Sequence, residues 1–283
     1  MELWAYEEHN NTRLEFKVKE TLFVGRSKYQ RIAVLDTVSC GKLLLLDGMI
    51  MLTEKFEFVY HDMLVHPPLF VHPSPKRVLI IGGGDGGAIR EVVRHEEIEQ
   101  VELVEIDPMV IDVCKRYIPT TACQFDHPKL KVHIEDGVEF IRRAPEGTYD
   151  VILIDSTDPV PGGPAVGLYN SEFYTNLFKA LSDDGIVTAQ VASPYFDEIV
   201  LRDYYLMISE IFPIAEIYLA FTPDYPTGMW AFSFASKRYH PIDDYEPDRY
   251  LNSGIETKYY NEEIHRAAFA LPTFARKMLR RKG

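Results

Sequence analysis

Five carboxylates and a cluster of glycines are the residues in this sequence whose types and spacing could do chemistry. In Val78-Leu-Ile-Ile-Gly-Gly-Gly-Asp-Gly-Gly-Ala-Ile-Arg-Glu91 an apolar run meets Gly82, Gly84 and Gly87 at the G-x-G-x-x-G spacing. Glycines so placed let a backbone approach a ligand closely at a helix N-terminus. The usual ligand is a pyrophosphate, but Asp85 puts a carboxylate where phosphates would lie, and like charges in a close site repel. A nucleoside without phosphates, carrying a cation near Asp85, fits these residues better. Glu105 ends the next apolar run, Val101-Glu-Leu-Val-Glu-Ile-Asp107. It comes about twenty residues after the glycines, where an acid accepts hydrogen bonds from ribose hydroxyls. Asp107 and Pro108 read as the N-cap and first-turn pair of the next helix, a capping role.

Ligands of open α/β sheets sit beyond the carboxyl ends of the strands. Here nearly every such position is acidic: Asp85, Glu105, Asp136 before Gly137, and Asp155-Ser-Thr-Asp-Pro159. One acid could be a helix cap, and Asp136 directly precedes a helix, but four sets converging on one crevice point to a site. Clustered carboxylates invite a metal, yet no histidine joins them at ligand spacing and the glycine loop predicts an organic ligand. The residues favour cationic substrates, their ammonium groups held by charge-assisted hydrogen bonds, and no metal. Tyr60, Tyr225 and Trp230 could supply apolar walls and cation–π faces for an alkyl diamine.

The elements that must position these groups follow from periodicity. Strands are predicted over 78–82, 101–105, 130–134, 150–154 and 186–191, alternating with helices near 86–95, 108–117, 137–143, 171–181 and 197–211. That is the pattern of a parallel sheet with helices on both faces. The runs 214–220 and 230–235 lie too close together for a helical crossover and predict an antiparallel pair at the sheet edge. A C-terminal helix is predicted over 261–281. Residues 1–63 read as β structure, with Asp47-Gly48 marking a hairpin. The proline-rich segment from His66 to Pro75 reads as the lead-in to a second domain, so the expected division is an N-terminal β domain over 1–63 and a Rossmann-like α/β catalytic domain over 64–283.

With 46% hydrophobic and 26% charged residues and a formal net charge of −13, the 283-residue chain reads as an ordinary globular protein. The acidic balance argues against nucleic acid, which needs a basic face, and would attract a small polycation. No apolar run is long enough for a membrane span, and the acidic stretch from Met1 to Glu8 does not resemble a basic leader, so a cytoplasmic location is expected. Cys40, Cys114 and Cys123 are odd in number and show no C-x-x-C spacing, which suits reduced packing residues.

Over essentially its whole length the sequence resembles the polyamine aminopropyltransferases, the spermidine synthase family. The resemblance rests on Ser27-Lys-Tyr-Gln30, Leu46-Asp-Gly48, Tyr60-His61, Gly82-Gly-Gly-Asp-Gly-Gly87, Val104-Glu-Ile-Asp107, Asp136-Gly137, Asp155-Ser-Thr-Asp-Pro159, Tyr225-Pro-Thr-Gly228 and Trp230. It implies a small N-terminal β domain ahead of a methyltransferase-type domain, and a homodimer or homotetramer. It implies transfer of an aminopropyl group from decarboxylated S-adenosylmethionine, a co-substrate rather than a tightly bound cofactor, to a diamine, with release of methylthioadenosine. By motif position, Gln30 and Glu105 would hold the ribose, Asp136 the adenine amino group, and Asp85 with His61 the aminopropyl end. Asp155 would be the catalytic acid, with Tyr60 beside it. Tyr60, Asp158, Gln190 and Tyr225 would line the acceptor channel, and Trp230 would form part of its wall. Putrescine is the expected acceptor, with agmatine and cadaverine as alternatives.

A sulfonium is already a good leaving group, so the enzyme must mainly align a neutral amine with the methylene carbon and exclude water. Two departures from the family stand out. The loop Asp158-Pro-Val-Pro-Gly-Gly-Pro-Ala165 carries two extra residues, and Phe56 and Met51 stand where relatives carry an acid and a glutamine, so neither is assigned to the site. The other classes to weigh are a methyltransferase and a non-catalytic polyamine-binding module. Asp85 and Asp155 would repel the carboxylate of intact S-adenosylmethionine, and the complete acidic set argues against a module that only binds.

Overall fold

Apolar–polar alternation in the first fifty residues produces a five-stranded antiparallel meander. The strands β1 (Leu3–His9), β2 (Thr12–Arg26), β3 (Arg31–Thr37), β4 (Lys42–Leu46) and β5 (Met49–Thr53) pair in sequence order. Asp47 and Gly48 both take positive φ, 50° and 91°, and close the β4–β5 hairpin as expected. Val18, Ala33, Leu35, Leu43 and Ile50 cover one face of this sheet. Ile32, Val34, Leu44, Leu46 and Leu52 face the other way and join the main core of the chain. The computed structural model describes residues 2–159 and 162–279. Val160 and Pro161 of the inserted loop, and the expected helix end at 280–281, lie outside the described residues.

Helix α1 (Glu57–Val71) follows, and it takes in the first part of the proline-rich stretch. Pro67 and Pro68 lie inside the helix, where each removes a backbone donor and should leave a carbonyl one turn earlier unpaired. The carbonyls in question are those of Met63 and Leu64. The Tyr218 hydroxyl donates to the first at 2.7 Å and Thr188 Oγ1 to the second at 3.1 Å. Tertiary partners thus complete a helix that local sequence argues against. The helix runs through residue 63, where the sequence reading divided the chain, and is almost wholly buried between the small sheet and the large one.

The large sheet has the strand order β11-β12-β10-β9-β6-β7-β8. Its parallel strands are β6 (Arg77–Gly82), β7 (Gln100–Glu105), β8 (Leu130–Ile134), β9 (Tyr149–Asp155) and β10 (Leu181–Ala192). The antiparallel pair β11 (Ile214–Phe221) and β12 (Met229–Ser236) closes one edge, as predicted. Alternate residues of β6 face opposite layers. Val78 and Ile80 pack with α1 and with α2 (Gly87–Val92) and α3 (Pro108–Tyr117), while Leu79 and Ile81 pack with α4 (Gly137–Arg143), α5 (Ser171–Ala180) and α6 (Glu198–Ile211). Burial on both faces is why this run is apolar without alternation.

The C-terminal segment differs from the single helix predicted over 261–281. After α7 (Pro247–Leu251) come two short helices, α8 (Glu262–Ala268) and α9 (Thr273–Met278). Pro272 cannot continue a helix already under way and stands immediately before the second.

Candidate active site

The site lies where β6, β7 and β9 end against the small sheet, in a cleft of about 880 Å³. Its floor is the glycine loop. Gly82 has φ of +85°, and a Cβ there would sit 2.0 Å from the Asp155 carbonyl oxygen, so the loop can leave β6 only through a glycine. Gly87 opens α2 against His61, whose ring a Cβ would overlap.

At one end of the cleft are the residues expected to hold a nucleoside. Gln30 and Glu105 are buried in its wall, Gly82 and Gly84 form the floor, and Asp136 and Gly137 stand at its rim. Asp136 Oδ1 accepts from Val138 N–H at 2.8 Å, so this residue does cap α4 while lining the cleft. Burial pushes the Glu105 carboxyl up to about 7, with the Asp107 charge adding to it and backbone N–H groups of Asp107 and Gly84 opposing it. Asp107, expected only to cap, accepts from Met109 N–H at 3.1 Å as predicted. Its second oxygen also receives the Gln30 Nε2 and Ser27 Oγ donors.

Beyond the nucleoside end, two carboxylates face each other. Asp85 Oδ1 accepts from Gly87 N–H at 2.8 Å and lies 3.2 Å from His61 Nε2. The other His61 nitrogen, Nδ1, lies 2.6 Å from Glu57 Oε2, and Arg90 grips Glu57 with two nitrogens at 2.9 Å. Burial alone would push His61 down, but the carboxylates of Asp85 and Glu57 outweigh it and hold the ring protonated. Burial pushes Asp85 up, yet the imidazolium and the Gly87 N–H bring it below its ordinary value. Both His61 nitrogens are thus engaged, and the ring lines the cleft beside Asp85 and holds that carboxylate.

Asp155, at the end of β9, accepts from the Tyr60 hydroxyl at 2.7 Å through Oδ1. Burial and the neighbouring Asp85 push it up to about 6, against the pull of His61 and Tyr60. Its Oδ2 is buried and has no hydrogen-bond partner. Ordinarily such an atom is paired.

Tyr60, Met51, Ser156, Thr157 and Tyr225 also line a second, smaller pocket of about 360 Å³ that continues from the cleft. Asp158, Gln190 and Trp230 lie in it as expected, and so does Glu7 of β1. Burial pushes Asp158 up to about 6 and Glu7 up to about 7. Gln190 is held at both ends of its amide: its Nε2 reaches Ser156 O, Tyr169 Oη and Asp158 Oδ1 at 2.8, 2.7 and 3.3 Å, and its Oε1 accepts from Trp230 Nε1 at 2.9 Å. It braces Asp158 and Trp230 while lining the pocket. Met51, set aside on sequence, lines both pockets. Phe56 stays outside, at the start of α1. Glu7, Glu57, Arg90 and Tyr169 were missed, and only the β1 alternation, which puts Glu7 on the half-buried face, carried a signal for any of them.

One side-chain atom each from His61, Asp85 and Asp155 falls within 4.8 Å of the others, a spacing compatible with a metal. A protonated imidazole has no lone pair to give, so the donor set suits an organic ammonium better. In the buried trio Asp62, His66 and Glu91, the Glu91 carboxylate is already gripped by Arg90 and Arg94.

Comparison with known proteins places this geometry. Residues 57–245 match the spermine/spermidine synthase domain, and residues 3–54 match the spermidine synthase tetramerisation domain. A polyamine aminopropyltransferase of Alkaliphilus metalliredigens is 48% identical over 99% of this chain and 98% of its own. One of Clostridium beijerinckii is 46% identical over the same shares. A spermidine synthase crystallised with the transition-state analogue AdoDATO superposes with a TM-score of 0.96 at 44% identity, covering 98% of this chain and 94% of its own. The spermidine synthase of Thermotoga maritima gives 0.94 at 43%, with the same coverage.

Proposed function

Since the chain belongs to the spermine/spermidine synthase family of polyamine aminopropyltransferases, we propose that it transfers the aminopropyl group of decarboxylated S-adenosylmethionine to putrescine, giving spermidine and methylthioadenosine. The adenosine occupies the main cleft, its ribose on Gln30 and Glu105 and its adenine amino group at Asp136. Asp85, negative and oriented by His61, takes the ammonium of the aminopropyl chain. Putrescine enters the smaller pocket, with its far ammonium between Asp158 and Glu7 and its methylenes against Tyr225, Trp230 and Met51.

The observation that carries this reading is the unpartnered Asp155 Oδ2 beside Tyr60, which lines both pockets. An amine at that junction would meet a buried acceptor. Its lone pair attacks the methylene carbon, the carbon–sulfur bond breaks, and the sulfonium becomes a neutral thioether. An alkylammonium titrates near 10 and an ordinary Asp near 4, a gap of about six units. Burial raises Asp155 to about 6 and narrows the gap. Asp155 therefore orients the neutral amine and takes its proton as the carbon–nitrogen bond develops, with the Tyr60 hydroxyl holding the carboxylate still.

The tetramerisation match supports a homotetramer. The test of the reaction is an incubation series in which decarboxylated co-substrate meets putrescine, cadaverine, agmatine and spermidine, following methylthioadenosine and product mass. Putrescine should give the highest kcat/KM. A value for agmatine or cadaverine about tenfold higher would overturn the acceptor, and no methylthioadenosine with any amine would overturn the reaction. Calorimetry with intact and decarboxylated S-adenosylmethionine tests Asp85: equal or tighter binding of the intact form refutes its role.

A further inference from the structure

We infer that Asp107 is a positioning residue that decides which atoms Gln30 and Glu105 present to the nucleoside, making that wall of the cleft, with Glu105 ionised, a surface of acceptors for a vicinal diol. This deepens the proposed placement of the ribose and rests on it. Asp107 is fully buried at the turn between β7 and α3. Its Oδ1 accepts from Met109 N–H, which fixes the carboxylate plane on the helix end. Its Oδ2 accepts from Ser27 Oγ at 2.6 Å and from Gln30 Nε2 at 3.0 Å, across eighty and seventy-seven residues of sequence. The Asp107 backbone N–H donates to Glu105 Oε1 at 2.8 Å.

The direction of each bond follows from the chemistry of the partners. A carboxylate accepting three donors can receive only the NH2 end of a primary amide. The Gln30 amide is therefore turned so that its carbonyl oxygen is the end left for the cleft, which Gln30 lines. Ser27 steadies the same turn, since its Oγ accepts from the backbone N–H groups of Tyr29 and Gln30 at 3.0 and 3.1 Å. On the other side, the Asp107 N–H donates to one oxygen of Glu105, and the second, beside Gly84 and under the pull of its N–H, keeps a lone pair for the cleft. Two acceptors on the wall of one cleft suit two adjacent hydroxyl donors. A ligand lacking either hydroxyl would leave a buried acceptor unpaired, which is how such sites discriminate.

The test uses the whole enzyme and measures binding of methylthioadenosine and of its 2′-deoxy and 3′-deoxy forms. Asp107→Asn keeps a good N-cap, but its amide nitrogen faces Gln30 and forces that side chain to turn its own nitrogen toward the ribose. We expect its Kd for methylthioadenosine to rise about 10- to 50-fold, the scale of a charge-assisted hydrogen bond lost in a buried site. The larger of the two deoxy penalties should fall from about tenfold to under about threefold, while kcat at saturation stays within about threefold. The double variant Asp107→Asn/Gln30→Glu should recover binding to within about fivefold of wild type, because the new carboxylate accepts from Asn and shows an oxygen to the ribose. A merely structural role would move neither the deoxy ratio nor the rescue.

Binding of Asp107→Asn within about twofold of wild type, or a double variant no better than the single, overturns the inference. Should Asp107→Asn not fold, Gln30→Glu alone decides: it must bind more weakly than Gln30→Ala, since two carboxylates would then face each other, and equal or tighter binding overturns the inference. Gln30→Ala also separates the two levels. If it leaves methylthioadenosine binding unchanged, the ribose placement itself falls; if it weakens binding and Asp107→Asn does not, only the role of Asp107 falls.

Discussion

Replacing Asp158 with Asn should make the unliganded enzyme more stable and a worse catalyst. Asp158 is held at about 6 against an ordinary 3.8, chiefly by burial and then by Asp197, while Gln190 and His9 pull the other way. The unfolded chain binds this proton only below about 4, so between about pH 4 and 6 the folded state holds more protons and loses stability as pH rises. Above about pH 6 the full penalty remains. A displacement of about two units corresponds to roughly 3 kcal/mol. Asn removes the charge and keeps an oxygen for the Gln190 Nε2 at 3.3 Å, so most of that penalty should be recovered. For a chain of this size the melting temperature should rise by about 5 °C at about pH 8 and be unchanged at about pH 4. The same variant should raise the KM for putrescine about tenfold, since one ammonium partner loses its charge. Scanning calorimetry across pH and initial rates supply the two readouts. An equal gain at both pH values, or a loss of stability at about pH 8, would refute the reasoning.

Asp155→Asn should lower kcat by about 100-fold or more, the scale of a positioned acid–base group, while calorimetry still detects methylthioadenosine at reduced affinity; near-normal turnover would remove Asp155 from the mechanism. Tyr60→Phe removes a hydrogen bond that holds Asp155 down, so the acid limb of the kcat/KM profile should move to higher pH, and an unmoved limb would show that the bond does not set the titration. Tyr218→Phe takes away the donor to the Met63 carbonyl at 2.7 Å. It should cost about 1–3 kcal/mol in thermal or urea unfolding, with kcat unchanged.

By itself the sequence determined the order of strands and helices in the α/β domain, the glycine loop, the convergence of carboxylates on one crevice and the family. Each of these is written in short stretches: periodicity, glycine spacing, and the acid that directly follows a strand. The predicted spans for β6, β7 and β8 and for α3 and α4 differ from the structure by at most one residue at either end, because the continuous apolar run of β6 and caps such as Asp107 and Asp136 are local. What lies far apart in sequence only the tertiary structure decided. Two prolines in a row argue against a helix, and α1 exists because hydroxyls from 188 and 218 reach the carbonyls the prolines leave open. His61 reads as part of the expected aminopropyl end, and only packing shows that Glu57 and Asp85 engage both of its nitrogens. Asp107 reads as a cap, which it is, and its second oxygen acquires its partners only when the turn at 27–30 folds against β7. Glu7 reaches the smaller pocket only because the small sheet lies across the mouth of the large one. A side chain's type fixes what it can donate or accept; which partner is within about 3 Å is set by packing.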